Sequence, residues 1–213
     1  MIQLLTTKIS IQVCIKFYIV LSLILYFYYG NKNKELGFLL FFAVVNGFMT
    51  YLFKSYEIKS FLNNNLYILF HNFTWFYIIR KKKDILLFKD FYFFLLVIIS
   101  LLTFINTSIF NEFNYYNFIF GALAYTFIFI IESYKNLKNS SLIFFTSNNF
   151  ILLFAPILFF LGMSFLLGFK SKSINSILVF GDLTFYMLIN YSVNIIYYTL
   201  INIYIYKERK LNA

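Results

Sequence analysis

Charge is scarce in this chain. Of its 213 residues only 12% are Asp, Glu, Lys or Arg, while 62% are hydrophobic and the mean hydropathy is +0.78. An average soluble domain carries about twice that share of charge. Too few polar side chains remain to cover a water-facing surface, and a chain of this size leaves much of its surface exposed however it folds. The surplus apolar surface must therefore face lipid.

Cysteine occurs once, at Cys14, which excludes an intramolecular disulfide and a cysteine-based zinc cluster. In its apolar setting Cys14 reads as a small buried thiol. The preceding residues, IQV, lack the small side chain that comes before a lipidated cysteine. Histidine also occurs once, at His71, so a metal site would need ligands of another kind. Neither a glycine-rich phosphate loop nor an HExxH helix is present. A GxSxG elbow and a cluster of acids suited to magnesium are missing too. So are the arginine repeats of a voltage sensor and a TVGYG-like filter. No catalytic residue and no metal ligand is assigned on this basis, and any cofactor is left open.

What the chain has in abundance is Phe (32) and Tyr (19), with many Asn and Lys. A+T-rich codons produce this composition, so a single Asn or Tyr is weak ground for a functional role. The formal net charge is +10. The basic residues sit in short clusters between apolar runs, which reads as membrane-flanking anchors and not as a nucleic-acid surface.

A spanning helix needs about 20 mostly apolar residues. Seven segments meet or approach this: Ile9–Tyr29, Leu36–Phe53, Phe61–Ile79, Phe91–Ser108, Tyr116–Tyr134, Phe150–Phe169 and Ser176–Tyr206. Runs such as LLVIISLLTF are continuously apolar, without the alternation of a β-barrel strand. The predicted fold is thus an all-α bundle of about seven transmembrane helices, forming one polytopic membrane domain over residues 1–213. The first run has no strongly basic leader and no cleavage site, so it is expected to be retained. The longest connection, roughly residues 135–149, is too short for a core of its own.

Lys and Arg fix the expected orientation. With the N-terminus outside, cytoplasmic segments hold 12 basic residues, the cluster Arg80–Lys83 among them, and outer segments hold 5. This bias places the C-terminus inside. Lys16 falls within the first run and is expected to snorkel toward the outer surface or to precede the helix.

Ionisable and amide groups at membrane depth are costly, and so mark candidate sites. His71 lies nine residues before Arg80, about 13 Å from the cytoplasmic end. It suits a proton relay, a metal or haem ligand, or a pH-sensitive switch, and a neutral imidazole hydrogen-bonded to a neighbouring helix is the competing reading. Asp182 is expected several residues inside the seventh span, after Gly181. Positions 182, 186, 190 and 194 follow at intervals of four. Asp182, Tyr186, Asn190 and Asn194 therefore share one helix face, with Tyr197 and Tyr198 a turn beyond. His71, Asp182, Asn190 and Asn194 are the ligand-pocket candidates, and interhelical glue is the competing reading. Glu132 is expected at the interface beside Lys135 and Lys138. Pro156 is expected to kink the sixth span.

The stretches NNLYILFHNFTWFYIIRKKK, SNNFILLFAPILFFLGMSFLLGF and NYSVNIIYYTLINIYIYK resemble an uncharacterised family of roughly 210-residue multi-span membrane proteins from Bacteroidota-type bacteria. The resemblance implies a sensory role in the inner membrane. The expectation is a signalling component that works through a protein partner, within a lipid bilayer and without nucleic acid. A membrane-embedded enzyme or transporter of a lipid-like substrate is the first alternative, and a structural subunit of a membrane complex the second.

Overall fold

The structure, a computed structural model, describes residues 2–56, 61–81, 89–109, 113–139, 142–168, 176–181 and 183–212. Among them are seven α-helices: α1 (Ile2–Tyr28), α2 (Lys34–Ser55), α3 (Phe61–Lys81), α4 (Lys89–Ile109), α5 (Tyr115–Lys138), α6 (Asn148–Gly168) and α7 (Phe185–Asn212). A 3₁₀ turn, Leu142–Thr146, precedes α6. A small antiparallel hairpin, β1 (Leu178–Phe180) with β2 (Leu183–Thr184), precedes α7.

Local chemistry sets the helix ends. α1 stops because Gly30 takes a left-handed φ of 59°, which lets its N–H donate to Phe27 O and the Asn31 N–H to Tyr26 O. Asn33 then caps α2, its side-chain oxygen accepting from the Leu36 N–H at 3.2 Å. Asn114, Ser147 and Thr184 do the same for α5, α6 and α7. Part of the connection from 135 to 149 that the sequence left open is thus helical and capped.

Each helix packs on its neighbours in sequence, and α7 returns to α1, closing a ring. The Tyr18 hydroxyl meets Thr199 Oγ1 at 3.1 Å where the ring closes. Successive helices run antiparallel: Glu35 at the start of α2 meets Lys81 at the end of α3, and Asn148 at the start of α6 meets Glu208 near the end of α7. α3 also touches α5 and α6, which makes it the most interior helix.

Five helices are long and apolar enough to cross a membrane, over Lys34–Phe53, Asp90–Thr107, Tyr115–Lys138, Asn148–Leu166 and Phe185–Lys210. Of the expected spans α3 falls short on that measure, while in α1 the stretch Ile15–Tyr28 is apolar among the residues whose side chains are described. In α3 the shortfall has a physical reason: its buried set includes Asn65, His71 and Asn72 beside Ile68, Trp75, Phe76 and Ile79. The inward face of α3 meets other helices, so it tolerates polar groups there, while Phe61, Leu62, Phe70 and Tyr77 remain exposed on its outer face. α4 shows the reverse. Phe91, Phe94, Ile98, Leu102 and Ile105 point outward while Ser100 is buried. Apolar outside and polar inside is the pattern of a protein dissolved in lipid.

One expected boundary moves. The seventh span was placed from Ser176, yet α7 starts at Phe185 because Leu178–Phe180 pairs with Leu183–Thr184 as the hairpin, with Gly181 following the first strand at φ 54°. Gly181 therefore serves a turn and not close helix approach.

Basic residues gather at the end formed by α1, α3, α5 and α7 C-termini and α2, α4 and α6 N-termini. There Arg80 pairs with Asp90 at 2.6 Å and lies over the Phe93 ring, and Arg209 lies over Tyr29. Lys81 Nζ sits 2.8 Å from Glu35 Oε1. That hydrogen bond and the nearby negative charge hold the Lys81 ammonium above its usual range. Because Lys81 is 62% exposed, the pair is screened. Replacing Glu35 with Gln should barely move the midpoint of a reversible unfolding titration.

Candidate functional site

α3 presents its polar residues to two sides of the ring. Toward α7, His71 is buried, with Nε2 3.1 Å from the Tyr197 hydroxyl and 3.2 Å from Trp75 Nε1. The indole N–H lies closer, at 2.8 Å, to the Tyr197 oxygen. An indole nitrogen only donates, so Tyr197 accepts from Trp75 and passes its own proton toward His71 Nε2. This order makes Nε2 an acceptor and puts the imidazole proton on Nδ1, which has no hydrogen-bond partner among the described residues. Phe159 stacks on the imidazole with ring centres 4.7 Å apart, and Tyr67 and Phe160 close in at 5.3 and 5.6 Å. His71 is therefore a neutral imidazole within an aromatic cage, tied to another helix.

Toward α4 and α5, Asn72 Nδ2 donates to Asn117 Oδ1 and, at 3.1 Å, to Asn117 O. Ser100 Oγ donates to the same Asn117 Oδ1 at 3.2 Å. The Tyr125 hydroxyl donates to Asn72 O at 3.1 Å. Asn117 N donates in turn to Asn114 Oδ1, and the Asn114 N–H to Asn65 Oδ1 at 2.8 Å. One chain of bonds thus joins α3, α4 and α5. Asn65, Asn72, Ser100, Asn114 and Asn117 are all buried.

No family model, curated protein or solved structure matches this chain.

The three candidates among the described residues, His71, Asn190 and Asn194, make no direct hydrogen bond that joins the pair on α7 to His71. His71 is at the centre. Asn190 and Asn194 are half-buried on α7 and bond to each other, Asn194 Nδ2 donating to Asn190 Oδ1 at 2.9 Å and to Asn190 O at 2.8 Å. Asp182 lies outside the described residues. The stripe at intervals of four holds from Tyr186 onward, since the helix begins only at Phe185. Its link to His71 is Tyr197, one turn past Asn194.

Sequence reasoning passed over Asn117, Ser100 and Tyr125. The discounting of Asn as a coding bias hid the first. The signal was there all the same: Asn114 and Asn117 stand three apart at the start of a long apolar run, where an amide needs a partner. Glu132, expected at the interface, is 3% exposed within α5. Pro156 lies in the third turn of α6 and denies the Leu152 carbonyl its usual helical bond. Among the described residues no group of three His, Cys, Asp or Glu side chains is placed to hold a metal ion.

Proposed function

We propose that this chain is a seven-span sensory or signalling component of a bacterial inner membrane, with its N-terminus outside and its C-terminus in the cytoplasm, acting through a protein partner. The observation that carries the reading is the double anchoring of α3. Its His71–Trp75 side is bonded to α7 and its Asn72 side to α5, and through Asn117 to α4. A shift of α3 has to break or carry along bonds on both sides, so a change on one face of the ring reaches the other. The connections between helices are too short to fold as output domains, so the signal leaves through contact. The basic end, with Arg80, Lys81, Arg209 and Lys210, is the contact surface, and its charge supports a cytoplasmic position.

Two experiments test this. A phosphatase reporter that is active only outside the cytoplasm should give signal when fused after Asn111 and none after Lys82. The reverse pattern inverts the orientation. Mild detergent extraction from native membranes should bring down a stoichiometric protein partner, and the interaction should weaken when Arg80 and Lys81 become Ala. Recovery of the chain alone refutes the partner. An activity that His71→Ala removes while the bundle stays folded favours the enzyme or transporter reading instead.

A further inference from the structure

Lys16 is the exception to the segregation of charge. It stands mid-way along α1, 12 residues before Tyr28, which puts its backbone about 18 Å from the basic end of the bundle. Its ammonium lies over the Tyr51 ring, 5.2 Å from the centre. Tyr51 is 17 residues into α2, about 25 Å from the same end. The side chain therefore reaches away from the basic end, up toward the opposite interface. Among the described residues Lys16 has no carboxylate partner.

The ammonium lines a lateral groove of about 250 Å³ between α1 and α2. Lys16 and Tyr51 occupy its outer end. Ile19, Val20, Ala43 and Val44 form its inner end, and Gly47 between them opens the wall, with no atom within 4 Å of where its Cβ would stand. Polarity thus runs in one direction along the groove: a cation near the interface, then about 12 Å of apolar wall from Tyr51 down to Ala43. A diacyl phospholipid has the same gradient, and in one with net negative charge the phosphate carries no cation of its own headgroup to compete with Lys16, which has no carboxylate partner among the described residues.

We infer that the α1–α2 groove is a binding site for an acidic phospholipid of the leaflet opposite the basic end, its phosphate on Lys16 and an acyl chain along Val20, Val44 and Gly47. This deepens the proposed function by giving the membrane sensor a lipid ligand, and it rests on the membrane-spanning reading. Near a membrane surface one Lys contributes about 1 kcal/mol toward an acidic lipid, roughly a fivefold preference.

The test is native mass spectrometry of the full chain released from nanodiscs of equal phosphatidylglycerol and phosphatidylcholine. Wild type should retain phosphatidylglycerol in excess. Lys16→Ala should lose roughly fivefold of that excess. Gly47→Leu, which fills the groove and leaves the charge in place, should lose it as well. Lys34→Ala, at the basic end, should not. Equal retention of both lipids by wild type overturns the proposal, as does an unchanged excess in Lys16→Ala or in Gly47→Leu. The reporter fusions read topology independently, so failure here and failure of the spanning reading are told apart.

Discussion

Replacing Trp75 with Ala should destabilise the folded bundle by about 3 kcal/mol, more than any other single truncation on α3. The side chain is fully buried between α3 and α7. In water such a loss has two parts, transfer and cavity. The transfer part largely vanishes here, because separated helices still lie in oil. The cavity part, roughly 24 cal/mol per Å³ left unfilled, survives and for an indole dominates. Trp75→Phe keeps most of the volume and removes the N–H that Tyr197 accepts. It should cost about 1 kcal/mol or less, in line with single hydrogen bonds between membrane helices. Unfolding in mixed micelles, followed by helicity, separates the two variants. Equal costs would mean that the hydrogen bond, and not the packing, holds α3 to α7.

Gly162→Leu should be the most damaging enlargement. A Cβ at Gly162 would stand 2.2 Å from Val193 Cγ2 and 3.1 Å from Cγ1. Val193 is β-branched and holds a single χ1 well in a helix, so it cannot swing aside. The α6–α7 pair must part, at a cost of about 3 kcal/mol or more. Val193→Ala alone should cost about 1 kcal/mol. In the double variant the shortened partner makes room, and the two costs should fall well short of adding. Full additivity, read from the same unfolding curves, would place the clash elsewhere.

The sequence made the helices legible through continuous apolar runs, whereas the caps at Asn33, Asn114, Ser147 and Thr184 emerged only with the structure. It misplaced the start of α7 because Ile177, Leu178, Val179 and Phe180 are as apolar as the helix that follows, and a short apolar run carries no period of its own. The hairpin hides in that ambiguity. The importance of α3 was legible only in part. His71 stood out as a lone ionisable group, whereas Asn72 and Asn117 looked like two amides among many. What distinguishes them is that they meet across helices, α3 against α5, and no local pattern encodes a pairing over 45 residues. The same pairing explains why α3 falls below the hydropathy of its neighbours and still sits at the centre.

Whether that polar helix crosses the bilayer is the point on which the rest turns. Tyr56 and Lys81 flank α3 and are both exposed, at 73% and 62%. In a Cys14→Ser background, Tyr56→Cys should react with a membrane-impermeant maleimide on intact cells. Lys81→Cys should react only after the membrane is opened. Labelling of both positions from the same side would put α3 outside the bilayer and contradict the account.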